Sequence, residues 1–221
     1  GGKLAERGAK KVLLHFGGQS AVRSGLIDRV CASLDAAGVE CVKLGGVRPN
    51  PEIELVREGV TLCKKEGVDW VLAVGGGSVI DSAKALANGA CIDEDVWELF
   101  ATKRPNENVL PIAVVLTIPA AGSEASKNTV ISNDALGMKT GYGNEHQRPK
   151  LAFMNPELTF TLPPYQTAAG ITDMFCHLLE RFFDDVGAVP VTDNLNLSLM
   201  RTVRAEAPRV LADPEDYEAR A

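Results

Sequence analysis

Cysteine, histidine and aromatic residues are scarce in this chain, and neither a basic block nor a long apolar run is present. The five cysteines (Cys31, Cys41, Cys63, Cys91 and Cys176) are odd in number and scattered, and none forms a C-x-x-C pair. That pattern excludes a zinc knuckle or a disulfide framework, so they read as reduced, buried, small hydrophobic residues. Lys and Arg number 23 against 29 Asp and Glu, a net charge of −6, so the basic stripe of a nucleic-acid surface is missing. No apolar run approaches the ~20 residues that span a bilayer, and no basic-then-apolar leader opens the sequence. These absences predict a cytoplasmic protein that has neither nucleic acid nor membrane as a partner.

What remains is the composition of a globular protein: 221 residues, 45% hydrophobic and 24% charged, enough for one large core or two modest ones. The most informative stretch is Asp69-Trp70-Val71-Leu72-Ala73-Val74-Gly75-Gly76-Gly77-Ser78, followed at once by Val79-Ile80-Asp81-Ser82-Ala83-Lys84. An apolar strand runs into three glycines and a serine, then into a helix. Glycines there let backbone N–H groups approach an anion, and the helix N-terminus adds its positive dipole end. The arrangement suits a pyrophosphate, yet it is neither the G-x-G-x-x-G fingerprint nor a Walker loop. A glycine turn used only for tight packing is the competing reading.

Strand and helix alternate through the first part. Strands are expected at 11–16, 40–44, 69–74 and 110–116, with helices at 25–37, from Pro51 to about residue 66, and at 79–88. This alternation predicts a parallel sheet with helices on both faces, an α/β Rossmann-like architecture. After 151–154 no strand signal recurs, and Pro163-Pro164 opens a helical region with a second helix at 192–211. The predicted division is an α/β dinucleotide-binding domain over 1–160 and the start of an all-helical domain over 161–221. Both ends read as cut: the sequence opens in a helical segment, and Asp213-Pro214 forms a helix start with little after it.

Asp173 and His177 stand four apart, which puts a carboxylate and an imidazole on one helical face as half of a divalent-metal site. A plain polar face with an Asp–His hydrogen bond is the alternative, since two ligands do not close a site. His15 and His146 have no spacing that makes either an obvious third. Thr117, at the start of Thr117-Ile118-Pro119-Ala120-Ala121-Gly122-Ser123-Glu124, follows a buried strand where α/β sheets bind ligands. Lys139 reads either as a solvated lysine or as a partner for cofactor phosphate or ribose.

Taken in order, these motifs resemble the iron-containing, or group III, alcohol dehydrogenases: Pro49-Asn50-Pro51, Gly75-Gly76-Gly77-Ser78-x-x-Asp81, Thr117-x-Pro119-x-x-Gly122-Ser123-Glu124, Lys139, Asn155-Pro156, Leu162-Pro163 and Gly170-x-x-Asp173-x-x-x-His177-x-x-Glu180. Asp95-Val96-Trp97 and Tyr165-Gln166-Thr167-Ala168 are similar to the butanol dehydrogenase and NADPH-dependent aldehyde reductase branch. The resemblance implies a divalent metal, Fe2+ or sometimes Zn2+, held by one Asp and three His. Asp173 and His177 match the first two ligands, and the other two are expected beyond Ala221. It also implies a homodimer, and hydride transfer between NAD or NADP and a small primary alcohol or aldehyde.

On that resemblance, Gly76, Gly77 and Ser78 cradle the pyrophosphate, Asp81 positions ribose or amide groups, and Asn50, Thr117 and Lys139 hold other parts of the cofactor. The turn Gly17-Gly18-Gln19-Ser20 would offer N–H groups and a hydroxyl to a 2′-phosphate. NADPH is therefore expected to be modestly favoured, with NADH accepted. The competing functions are a glycerol- or polyol-type dehydrogenase, a dehydroquinate-synthase-like enzyme, and a non-catalytic nucleotide-binding fragment whose metal site is incomplete.

Overall fold

The computed structural model describes every residue except Val186 and Ala188, and the backbone but not the side chains of Gln19 and Ser20. Two compact units result, one comprising Gly1–Leu116 with Gly122–Phe153 and the other Thr117–Ala121 with Met154–Ala221. The second unit thus begins at Met154, ahead of the expected boundary at 160, and also claims the short segment after the fourth strand.

The first unit is built on five parallel strands: β1 (Lys11–Phe16), β2 (Glu40–Leu44), β3 (Trp70–Gly75), β4 (Ile112–Leu116) and β7 (Leu151–Phe153), in the order β2-β1-β3-β4-β7. All four pairings are parallel, and helices cover both faces of the sheet. β3 is buried along its whole length and β1 at its four central residues, as continuous apolar runs inside a two-sided sheet require. The helices are α1 (Gly2–Ala5), α2 (Gln19–Arg23), α3 (Leu26–Asp35), α4 (Ile53–Glu66), α5 (Gly77–Gly89) and α6 (Trp97–Thr102). α5 is the most deeply buried, with ten of its thirteen residues inaccessible. Glycines on its neighbours let them approach it closely: a Cβ on Gly75 of β3 would lie 2.5 Å from a Val79 methyl, and one on Gly59 of α4 would lie 2.1 Å from Leu86.

An antiparallel hairpin, β5 (Asn128–Asn133) with β6 (Met138–Gly143), stands apart from the main sheet. It was not foreseen, because β6 carries Lys139, Gly141 and Gly143 and is mostly exposed. It lacks the alternation that marks a half-buried strand.

The second unit contains α7 (Pro164–Phe182), α8 (Pro190–Ala212) and α9 (Tyr217–Arg220). α7 starts at the second proline, whose missing N–H costs nothing in the first turn. The helix start expected at Asp213 falls instead at Asp216, which caps the Ala219 N–H at 3.0 Å, while Asp213 accepts from the Glu215 N–H in a tight turn. No helix among the described residues is long and apolar enough to cross a membrane.

Candidate functional site

In the order β2-β1-β3-β4 the chain leaves β1 toward one side and returns through β3 on the other. That reversal is a topological switch point, and open α/β sheets bind ligands outside the carboxyl ends of the strands there. Phe16 pairs with Val74, so Gly17-Gly18 and the Gly75–Ser78 turn leave the sheet side by side. Gly75 stands opposite Leu116, which brings the end of β4 to the same edge. Thr117 follows directly, and its segment belongs to the second unit.

Gly76 caps α5 in extended geometry, and its carbonyl accepts from the Val79 and Ile80 N–H groups at 3.0 and 3.1 Å. The N–H groups of Gly77 and Ser78 precede those first intrahelical bonds and lie at the positive end of the helix dipole. No heavy atom within 4 Å would meet a Cβ on Gly18, which leaves open space beside the turn. α2 begins at Gln19; the Gln19 and Ser20 side chains lie outside the described residues.

Asp81, one turn into α5, is already engaged. One carboxylate oxygen accepts from the Ser123 hydroxyl at 2.6 Å, and the other from the Val130 N–H at 2.9 Å. Burial raises its pKa, and the Ser123 and Val130 bonds work against that rise. Each carboxylate oxygen thus has a partner within the protein, which fixes the side chain one turn into α5.

Asn50 and Lys139, distant in sequence, meet at 2.9 Å between Oδ1 and Nζ. With Pro49, Glu52, Ser132 and Asp134 they line an open polar cavity of ≈ 410 Å³. Asn50 has φ 57°, in the left-handed region. Holding a non-glycine residue there costs free energy and recurs at ligand sites.

In the second unit, His177 Nδ1 lies 2.8 Å from the Asp173 backbone carbonyl and 3.6 Å from its carboxylate. An Nδ1–H donated to that carbonyl leaves the Nε2 lone pair free, the arrangement that orients a metal-binding imidazole. Both side chains are 45% exposed and so reachable by a ligand. The pair fits half of a divalent-cation site; no cluster of three or more His, Cys, Asp or Glu suited to a metal exists among the described residues. A separate cavity of ≈ 360 Å³ within this unit, lined by Pro119, Leu162, Ile171 and Met174 among others, contains neither residue.

His15 is fully buried, and both ring nitrogens have partners: Ser82 Oγ at 2.8 Å and the Leu44 carbonyl at 2.9 Å. Lys84, equally buried, went unnoticed; a lysine inside a helix of small and apolar residues was the available signal. The cysteines need correction: only Cys63 is buried, Cys31, Cys41 and Cys91 are half-buried, and Cys176 is exposed.

Residues 1–156 match the iron-containing alcohol dehydrogenase family, and residues 167–221 match the C-terminal region of the Fe-containing alcohol dehydrogenase family. The chain belongs to the iron-containing alcohol dehydrogenases. A probable NADH-dependent butanol dehydrogenase 1 of Bacillus subtilis is 43% identical over 96% of this chain and 54% of its own length. The NADPH-dependent aldehyde reductase YqhD of Escherichia coli is 34% identical over 96% and 55%. The crystal structure of NADH-dependent butanol dehydrogenase A from Thermotoga maritima superposes with a TM-score of 0.95 at 41% identity, covering 99% of this chain and 55% of that one. The chain thus spans about half the length of the relatives it matches.

Proposed function

We propose that this sequence belongs to an enzyme that transfers hydride between a nicotinamide dinucleotide and a small primary alcohol or its aldehyde. The observation that carries the reading is the glycine turn at the switch point, with the first N–H groups of α5 at the positive end of its dipole, in a chain of this family. The N–H groups of Gly77 and Ser78 would hold the pyrophosphate. Lys139, with Asn50 beside it, would reach ribose or phosphate oxygens from β6. The Asp173 carboxylate and His177 Nε2 would supply two donors to Fe2+ or Zn2+, and imidazole suits both. Bound together, the two cofactors would bring Lewis acidity toward the substrate oxygen and a hydride donor or acceptor.

Cofactor choice is the finer point. Arg23 is the cation nearest in sequence to Gly17-Gly18-Gln19-Ser20 and is exposed at the end of α2. Several relatives, at 36–43% identity, are named NADH-dependent butanol dehydrogenases. Set beside the NADPH-dependent YqhD, these names support the reading that both cofactors are accepted, with NADH used at least as well as NADPH.

The test is a full-length preparation loaded with Fe2+ or Zn2+ and assayed on butanal and on glycerol with each cofactor. Metal-dependent oxidation of NADH by butanal is expected. Glycerol oxidation without butanal reduction would favour the polyol reading, and nucleotide binding with no turnover would favour a non-catalytic role. An NADPH preference of about tenfold or more in kcat/KM, ~1.4 kcal/mol, would overturn the cofactor assignment.

A further inference from the structure

Lys84 is a fully buried charge that the proposed reaction does not use. Its ammonium donates to the Ser123 carbonyl at 2.7 Å, the Ser123 hydroxyl at 2.9 Å and the Asn128 carbonyl at 2.8 Å. A lysine has three N–H donors, so every one has a partner. The Ser123 hydroxyl accepts from Lys84 and donates to Asp81, which fixes its rotor. Asp81 in turn holds the Val130 N–H, and its own carbonyl accepts from the Thr129 hydroxyl at 2.7 Å. Lys84 and Asp81 together thus grip residues 123–130 at both ends.

The position of this grip on α5 gives it meaning. Gly77, Asp81 and Lys84 follow the i, i+4, i+7 spacing that lines one face of a helix. The segment held by the last two lies along the stripe whose first residue is Gly77. An apolar side chain of similar volume could fill the same space without the desolvation cost of a buried charge. What the ammonium adds is direction: three oxygens, two from Ser123 and one from Asn128 at the start of β5, are fixed relative to one helix.

We propose that Lys84 is a positioning residue of the dinucleotide site, holding residues 123–128 in register along the helical stripe that begins at Gly77. The proposal rests on reading Gly77 and Ser78 as the pyrophosphate cradle. Lys84 has its pKa lowered to about 8, chiefly by burial; Asp81 and Glu124 oppose that shift and Arg148 adds to it. Deprotonation leaves two N–H donors for three oxygens, so the grip loosens as pH rises through about 8.

The test uses the full-length protein as wild type, Lys84→Met and Ser123→Ala, with NADH affinity measured from nicotinamide fluorescence between pH 6.5 and 9.5 alongside thermal unfolding. Wild-type affinity is expected to weaken as pH rises through about 8. In Lys84→Met the Kd should rise about tenfold at neutral pH and lose that dependence, and Ser123→Ala should move it in the same direction by less. A purely structural lysine would lower the unfolding temperature while leaving the Kd of the folded protein and its pH profile unchanged, and that result overturns the proposal. Should Lys84→Met fail to fold, Ser123→Ala decides: a Kd and pH profile equal to wild type refute the grip. Absence of NADH binding in wild type itself would refute the cradle reading and this proposal with it, whereas wild-type binding with unaffected variants refutes only the proposal.

Discussion

The imidazole Nε2 of His15 and the hydroxyl of Ser82 meet at 2.8 Å with both side chains fully buried, joining β1 to α5 beneath the two glycine turns. The other ring nitrogen bonds the Leu44 carbonyl, so one residue ties together β1, β2 and α5. Burial lowers the His15 pKa to about 4, against a backbone bond that acts the other way.

A pH dependence follows, and its sign is fixed. Between pH 6.5 and about 4 the unfolded chain binds a proton at this position that the folded protein refuses, so stability rises with pH across that window. The contribution is complete above pH 6.5 and disappears as pH falls toward 4. At about 1.4 kcal/mol per unit it is on the order of 3 kcal/mol. His15→Gln can supply a donor and an acceptor without a titrating group. Its urea midpoint should therefore fall less steeply than that of wild type between pH 6.5 and 4; parallel slopes would show that His15 does not carry the effect.

Gly75 and Gly77 flank Gly76 where β3 passes into α5, and substitutions at the two positions should read out differently. A Cβ on Gly75 would collide with Val79 at 2.5 Å, so Gly75→Ala should lower stability by about 1–3 kcal/mol through overpacking. On the proposed cradle reading, a group added at Gly77 would stand where a pyrophosphate approaches the backbone. Gly77→Val should weaken dinucleotide binding by at least tenfold, ~1.4 kcal/mol. Unchanged affinity in a folded Gly77→Val protein would remove the cradle assignment.

The sheet was largely legible because its strands are short apolar runs punctuated by glycine and proline. β1 and β2 have the expected bounds, and β3 is shifted by one residue. The hairpin β5–β6 and helix α6 were not legible, since their stability comes from contacts remote in sequence. Tyr142 of β6, for example, packs on Phe100 of α6 at 5.7 Å between ring centroids. The same limit applies to the site. Gly17-Gly18 and Gly75–Ser78 announce themselves as local motifs, and the sheet order brings them together. The bonds of Asp81 to Ser123 and Val130, more than 40 residues away, carry no local signal. Lys84 was missed for the same reason.

Gly170 lets α7 approach the segment Thr117–Ala121 closely: a Cβ there would sit 2.9 Å from the Pro119 carbonyl oxygen. Helix propensity alone predicts that Gly170→Ala stabilises α7 by about 1 kcal/mol. The backbone clash opposes this with a cost of about 1–3 kcal/mol, so the net effect should be destabilising. A urea titration reads the sign directly, and a stabilised Gly170→Ala protein would mean that this close approach does not constrain α7.

The last prediction concerns Asp173 and His177. The Asp173 carbonyl fixes His177 Nδ1 at 2.8 Å, which directs Nε2 outward as the available donor, while the carboxylate stands one helical turn earlier on the same face. Neither residue belongs to the unit that carries the glycine turns. Removing the imidazole should therefore act on metal and not on dinucleotide. In the full-length protein, His177→Ala should lower bound iron or zinc, measured by elemental mass spectrometry, by at least about tenfold, the scale on which even outer-shell losses act. NADH affinity should stay within about twofold of wild type, well under the ~1.4 kcal/mol that a tenfold change represents. Turnover should fall with the metal content. Retention of one metal per chain in His177→Ala would remove the histidine from the ligand set, and a parallel loss of NADH affinity would point to a general collapse of the fold instead of a lost ligand.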